Sequence, residues 1–204
     1  MMVTIEPDEA LFKELMERLD GKKEGNSSKA SREAMKKAIN EFAANTKNRL
    51  HSETRERYTI KARAFNKSDI KIENATARHL KAFLRVSGPT VGIYKYATRK
   101  NGKRKGASAM VLSSGSMEEL KIDKDGKTYK AFLATMKTGH KGFFQRVPGE
   151  YARTKTNRPK IKEIMSLSEA KALEMVYRQQ DAAEMQEQLY TCLHNHINAM
   201  LGGE

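Results

Sequence analysis

Apolar positions change their period twice along this chain, and the two changes divide it into three stretches. Asp8 stands ahead of Leu11, Leu15 and Leu19, a four-residue spacing that predicts a short capped helix, broken by the polar stretch 20–28. From Ser28 or Ser31, Met35, Ala38, Ile39, Phe42, Ala43, Thr46 and Leu50 form one stripe, with Lys36, Lys37, Glu41 and Lys47 opposite. This is the pattern of a long helix laid on a core, running to about Arg57. Phe42 and Leu50 on this helix, with Phe83 and Leu133 on strands, are expected in the core.

Beyond Tyr58 the period shortens towards two. Tyr58 and Ile60 alternate with Thr59 and Lys61, a short turn or helix fits Ala64–Ile70, and Leu80–Val86 reads as a strand ended by Ser87-Gly88-Pro89. Val91–Tyr96 and Ala107–Leu112 are β-prone runs on either side of Thr98–Gly106, whose Asn101-Gly102 is a strong hairpin signal because both residue types tolerate positive φ. Asp125-Gly126 plays the same part between Glu119–Ile122 and Tyr129–Met136, and Gly139 and Gly142 flank His140 in a third reversal before Phe143–Val147. The expectation is an antiparallel sheet of about four or five strands.

The third stretch returns to helical spacing. Ser166 and Glu169 have the S-x-x-E spacing of a capping box. Apolar residues from Leu167 to Met200 then predict one helix of more than thirty residues, about 45 Å long. It would pack on the long N-terminal helix or reach another subunit, with Gln179, Gln180, Gln186 and Gln188 suited to an interface. The fold class predicted is α+β: residues 1–26 as N-terminal helix and linker, 27–165 as a single α+β domain, and 166–204 as a C-terminal helix on that domain or on a neighbouring subunit.

Composition narrows the function. The 204 residues include 38% hydrophobics and no Trp, and one cysteine, Cys192, cannot build a disulfide framework or a Cys-based zinc site. Cys192 falls on the apolar stripe and reads as a small buried hydrophobe. No apolar run approaches the ~20 residues of a membrane span, and the charged N-terminus lacks the apolar centre of a secretory signal, so a cytosolic protein with no membrane partner is expected. The net charge is +14, and its distribution is uneven: 1–86 carry 19 basic and 13 acidic groups, 87–162 carry 18 and 5, and 163–204 carry 2 and 7. A basic middle beside an acidic tail favours contact with a polyanion or head-to-tail contact between copies of the chain.

Catalytic motifs are missing: there is no phosphate loop, no dinucleotide fingerprint, no H-E-x-x-H and no nucleophile elbow. Asp123 and Asp125 open like a calcium loop, but the closing Glu is absent and a hairpin turn is the better reading. His194 and His196, two apart on a helix, point to different faces and make a poor metal pair. His140 is a turn residue or a general base, and no carboxylate lies near it in sequence. No cofactor and no metal are expected. The feature that exceeds a solvated surface is the run 99–106, in which Arg99, Lys100, Lys103, Arg104 and Lys105 are cationic and no acid intervenes. On a hairpin tip these five residues can hold phosphates without reading bases, or they can simply keep a loop soluble.

The segment Ala38–Ile72, with Ala38-Ile39-Asn40 and Arg57-Tyr-Thr-Ile-Lys-Ala62, resembles the prophage minor tail protein Z family of tailed bacteriophages. The run from Ala131 through Gly139-His140 to Arg146 is similar to that family's second signature, and Leu84–Gly88 is similar too. The likeness spans roughly 30–165. Where the family often carries a Gly-Pro-Ser turn after Pro-Ile, this chain has Pro159–Ser166 without it. The resemblance implies a non-enzymatic virion protein of tail completion, at the head-proximal end of the tail near the DNA channel. It implies self-association into a ring, tail and head-to-tail connector proteins as partners, and weak non-specific contact with phage DNA. The chain would reside in the bacterial host cytoplasm during assembly and then in the virion tail. A sequence-independent nucleic-acid-binding protein is the second reading, and a nuclease using His140 and the basic patch is the third.

Overall fold

The helix predicted from Ser28 or Ser31 runs from Ser27 to Arg57 (α1), and its whole apolar stripe, Met35 through Leu50, is buried. A computed structural model describes residues 1–8, 13–14, 17, 27–102, 105–151 and 159–201. The protein is α+β, with antiparallel sheets and long helices towards both ends. Its residues group into two units that interleave along the sequence, 1–52 with 67–87 and 173–204, and 53–66 with 88–172.

The first unit contains a three-stranded sheet in the order β1 (Met2–Ile5), β3 (Ala82–Arg85), β2 (Lys71–Glu73). In its register Val3 faces Leu84 and Ile5 faces Ala82, and all four are buried, which is the period-two signature of a half-covered sheet. The opening residues are therefore a strand and not part of a helical N-terminus. Met2-Val-Thr-Ile5 alternates correctly but is only four residues long, and β3 supplies the partner that makes so short a strand worthwhile. Leu11, Leu15 and Leu19 lie outside the described residues. Phe83 takes the less covered face of β3 and is half-buried, not core.

The C-terminal helix is two helices, α2 (Glu169–Tyr177) and α3 (Ala182–Leu201), and not one rod. The last turn of α2 tightens through Gln179 and Gln180, whose amides reach back three residues to Val176 and Tyr177. Asp181 then caps α3, its Oδ1 accepting from the Ala183 amide at 2.8 Å. Likewise Ser168, not Ser166, caps α2, accepting from the Lys171 amide at 3.1 Å, while Ser166 lies in a strand. In α3, Leu189, Leu193 and Ile197 are buried. Arg49 reaches Gln188 (2.7 Å) and Glu41 reaches His196 (2.6 Å), so α3 lies antiparallel along α1.

The second unit is built from short antiparallel strands: β4 (Val91–Gly92), β5 (Ala97–Lys100), β6 (Ala107–Met110), β7 (Glu118–Glu119), β8 (Lys121–Lys124), β9 (Lys127–Lys130), β10 (Phe132–Thr135), β11 (Lys141–Tyr151), β12 (Pro159–Glu163) and β13 (Met165–Ser166). They pair as β5-β6-β7, β8-β9, β10-β11-β12 and β4-β13, several small sheets where one larger sheet was expected. Single backbone bonds stitch them together, among them Leu120 to Ala107 and Ala131 to Leu120, both 2.8 Å. Tyr58, Ile60, Phe65, Ile93, Tyr96 and Phe143 fill the core between them.

Candidate nucleic-acid interface

The basic hairpin exists, displaced from its predicted register. Val91–Tyr96 is strand for only two residues before a 3-10 turn, Ile93–Lys95. The strand that pairs with β6 is β5, so Arg99 faces Ser108 and Lys100 faces Ala107. Two of the five candidate cations thus sit on the strand itself, and adjacent strand residues project to opposite faces. Lys105 is exposed on the connecting loop, and Lys103 and Arg104 lie outside the described residues. The loop closes with Asn101 donating to Gly106 at 3.0 Å, and Gly102 has φ +105° while Asn101 has no positive φ. The tight two-residue turn belongs to the other hairpin, where Asp125 (φ 52°) and Gly126 (φ 70°) join β8 to β9.

That second hairpin brings cations the sequence reading passed over. Its register sets Lys121 opposite Lys130 and Lys124 opposite Lys127. Like charges directly across a strand pair weaken it, and here Asp123 offsets Lys121 at 3.4 Å while Glu119 offsets Lys130 at 3.0 Å. Lys130 lies against the loop of the first hairpin: a Cβ on Gly106 would come within 3.1 Å of the Lys130 Cβ. Only glycine, at φ +87°, lets the two ribbons approach so closely.

A groove of about 820 Å³ opens where they meet. Lys100, Lys127, Lys130 and Arg146 line it, together with Tyr129 and Phe132 and the glycines of the basic loop. No carboxylate is among the described residues that line it. Among the nearby acids, Glu119 holds Lys130 at 3.0 Å, and hydrogen bonds from Thr128 and then Lys121 hold the Asp123 carboxyl below its usual range. Glu150 is lowered in the same way by Lys160 and Lys162. Phe132 is 36% exposed and has Phe144 behind it, ring centroids 6.5 Å apart. Leu133, expected in the core, is half-buried on this groove's wall. The signal that could have found the groove is Lys121-Ile-Asp-Lys-Asp-Gly-Lys-Thr-Tyr-Lys130, because the Asp-Gly turn fixes which lysines meet.

His140 has the carboxylate that its sequence neighbourhood lacked. Pairing of β11 with β12 sets Glu163 opposite Phe144, and Glu163 Oε2 lies 2.9 Å from His140 Nε2. The Glu163 side chain packs over Gly92 and Gly142, where any Cβ would collide with it, and the imidazole stands edge-on to Phe144 at 6.2 Å. The pair can orient a proton-bearing imidazole. No group of three His, Cys, Asp or Glu able to hold a metal occurs among the described residues. His194 meets Asn198, not His196. Cys192 is half-buried, and burial, followed by the Glu41 charge, pushes its thiol up, away from the reactive thiolate. No helix among the described residues is long and apolar enough to cross a membrane. Comparisons of the chain with protein-family models, curated proteins and solved structures return no match.

Proposed function

We propose that this chain is a non-enzymatic minor tail or tail-completion protein of a bacteriophage, assembling with copies of itself and with connector proteins at the head-proximal end of the tail. The observation that supports this reading is the use of the stretch from Ala131 to Arg146. It carries the second half of the family resemblance, folds as the β10–β11 hairpin and supplies Phe132 and Arg146 to the basic groove. A low-specificity cationic surface is what a protein beside a DNA channel needs, because it holds phosphates without halting on any sequence.

The excess of cations in the second unit also suits a nucleic-acid-binding protein that never assembles into a virion. Light scattering on the eluting chain, over a range of protein concentration, separates the two. A discrete closed oligomer supports the tail reading. A strict monomer that binds duplex DNA tightly near physiological salt overturns it in favour of the second.

A further inference from the structure

We infer that the groove between the basic loop and β9–β10 takes a nucleic-acid strand that has no complement, a preference that rests on the reading of this face as one that meets nucleic acid. Cations alone do not distinguish a single strand from a duplex, since both present phosphates. The rings do. Tyr129 and Phe132 line the same groove as Lys100, Lys127 and Arg146, and Phe132 stays partly exposed although its neighbour Phe144 is buried. In a duplex each base face is covered by the next base, so the rings gain nothing. An unpaired strand offers bare base faces, and stacking on an aromatic side chain strengthens binding whatever the base. An acidic peptide would satisfy the cations and leave the rings unused.

The groove is short, so few phosphates can be engaged at once. About three contacts, at ~0.7 each for a single strand, give a slope near −2 in log affinity against log salt. Homopolymers of different base should bind within a few-fold of one another, because every base has a stacking face.

The test is fluorescence anisotropy of the full chain with a labelled oligothymidine of about ten nucleotides and with a duplex of the same length. The wild type is expected to bind the single strand more tightly. Phe132→Ala should weaken single-strand binding by about 5- to 100-fold while duplex affinity and salt slope stay unchanged. Replacing Lys100, Lys127 and Arg146 by Ser should flatten the slope for both ligands. Phe132→Leu keeps the apolar bulk without the ring; binding as weak as that of the Ala variant, with an unchanged melting temperature, assigns the loss to stacking. Equal affinity for strand and duplex overturns the inference, as does equal weakening of both by Phe132→Ala or competition by polyglutamate as effective as by the oligonucleotide. Light scattering of the same samples keeps the two proposals apart: an intact oligomer with no single-strand preference removes only this one.

Discussion

The Asn40 side chain pairs with both backbone polar groups of Ala75, its Nδ2 donating to the Ala75 carbonyl at 3.2 Å and its Oδ1 accepting from the Ala75 amide at 2.7 Å. Asn40 belongs to the Ala38-Ile39-Asn40 sequence on α1, and Ala75 is buried between β2 and β3. One amide thus replaces the strand partner that this piece of backbone does not have. Only an amide supplies a donor and an acceptor in that geometry.

Asn40→Ala therefore leaves two backbone groups without these partners and should cost about 2–3 kcal/mol. Asn40→Asp keeps the acceptor and loses the donor, so a smaller loss is expected. Urea melts of the three proteins check the order, and equal stability of Asn40→Ala and wild type would show that the backbone of 75 does not depend on this side chain.

Burial pushes the Tyr96 phenol up to about 12, opposed by a hydrogen bond with Ser166, and its hydroxyl donates to the Leu167 carbonyl at 2.8 Å. In the unfolded chain the phenol ionises near 10. Between those values the folded protein holds a proton that the unfolded chain has released, so the contribution is complete below pH 10 and is lost as the pH rises towards 12. The loss is about 1.4 kcal/mol per pH unit and near 3 kcal/mol in all. Tyr96→Phe should be less stable at pH 8 and should lack this component of the alkaline decline. Parallel stability curves for the two proteins from pH 9 to 12 would contradict the assignment.

Gly106 and Gly126 both have positive φ, but a Cβ on Gly106 meets Lys130 whereas one on Gly126 meets nothing within 4 Å. Gly126→Ala should lose only the conformational penalty, about 1 kcal/mol. Gly106→Ala adds a displaced Lys130 and should cost about 1–3 kcal/mol while weakening nucleic-acid binding. Thermal melts and anisotropy on both variants test the difference, and identical effects would mean that the close approach of the two ribbons is not fixed by Gly106.

What the sequence made legible was the physics that repeats. The stripe from Met35 to Leu50 gave α1 because seven apolar or small residues at helical spacing leave no other face to bury. Asp125-Gly126 gave the β8–β9 turn because both positions demand positive φ. Shorter or longer-range information was hidden. Four alternating residues at Met2–Ile5 are too few to outweigh a helical pattern next to them. Met185 resumes the helical phase of Tyr177 across the polar Arg178–Asp181, so one helix fits the apolar pattern, and the break shows in those four polar residues and in the Asp181-Ala-Ala-Glu184 cap signal. Glu163 reaches His140, and Lys130 reaches Gly106, through pairings between strands that no spacing along the chain encodes.

That the chain is built into a phage tail is tested most directly on virions purified from the strain that encodes it. Mass spectrometry of those particles should find the chain at a fixed low ratio to the main tail protein. Antibody to the chain should label the head-proximal end of the tail in negative stain. Complete, tailed particles that do not contain the chain would contradict the account.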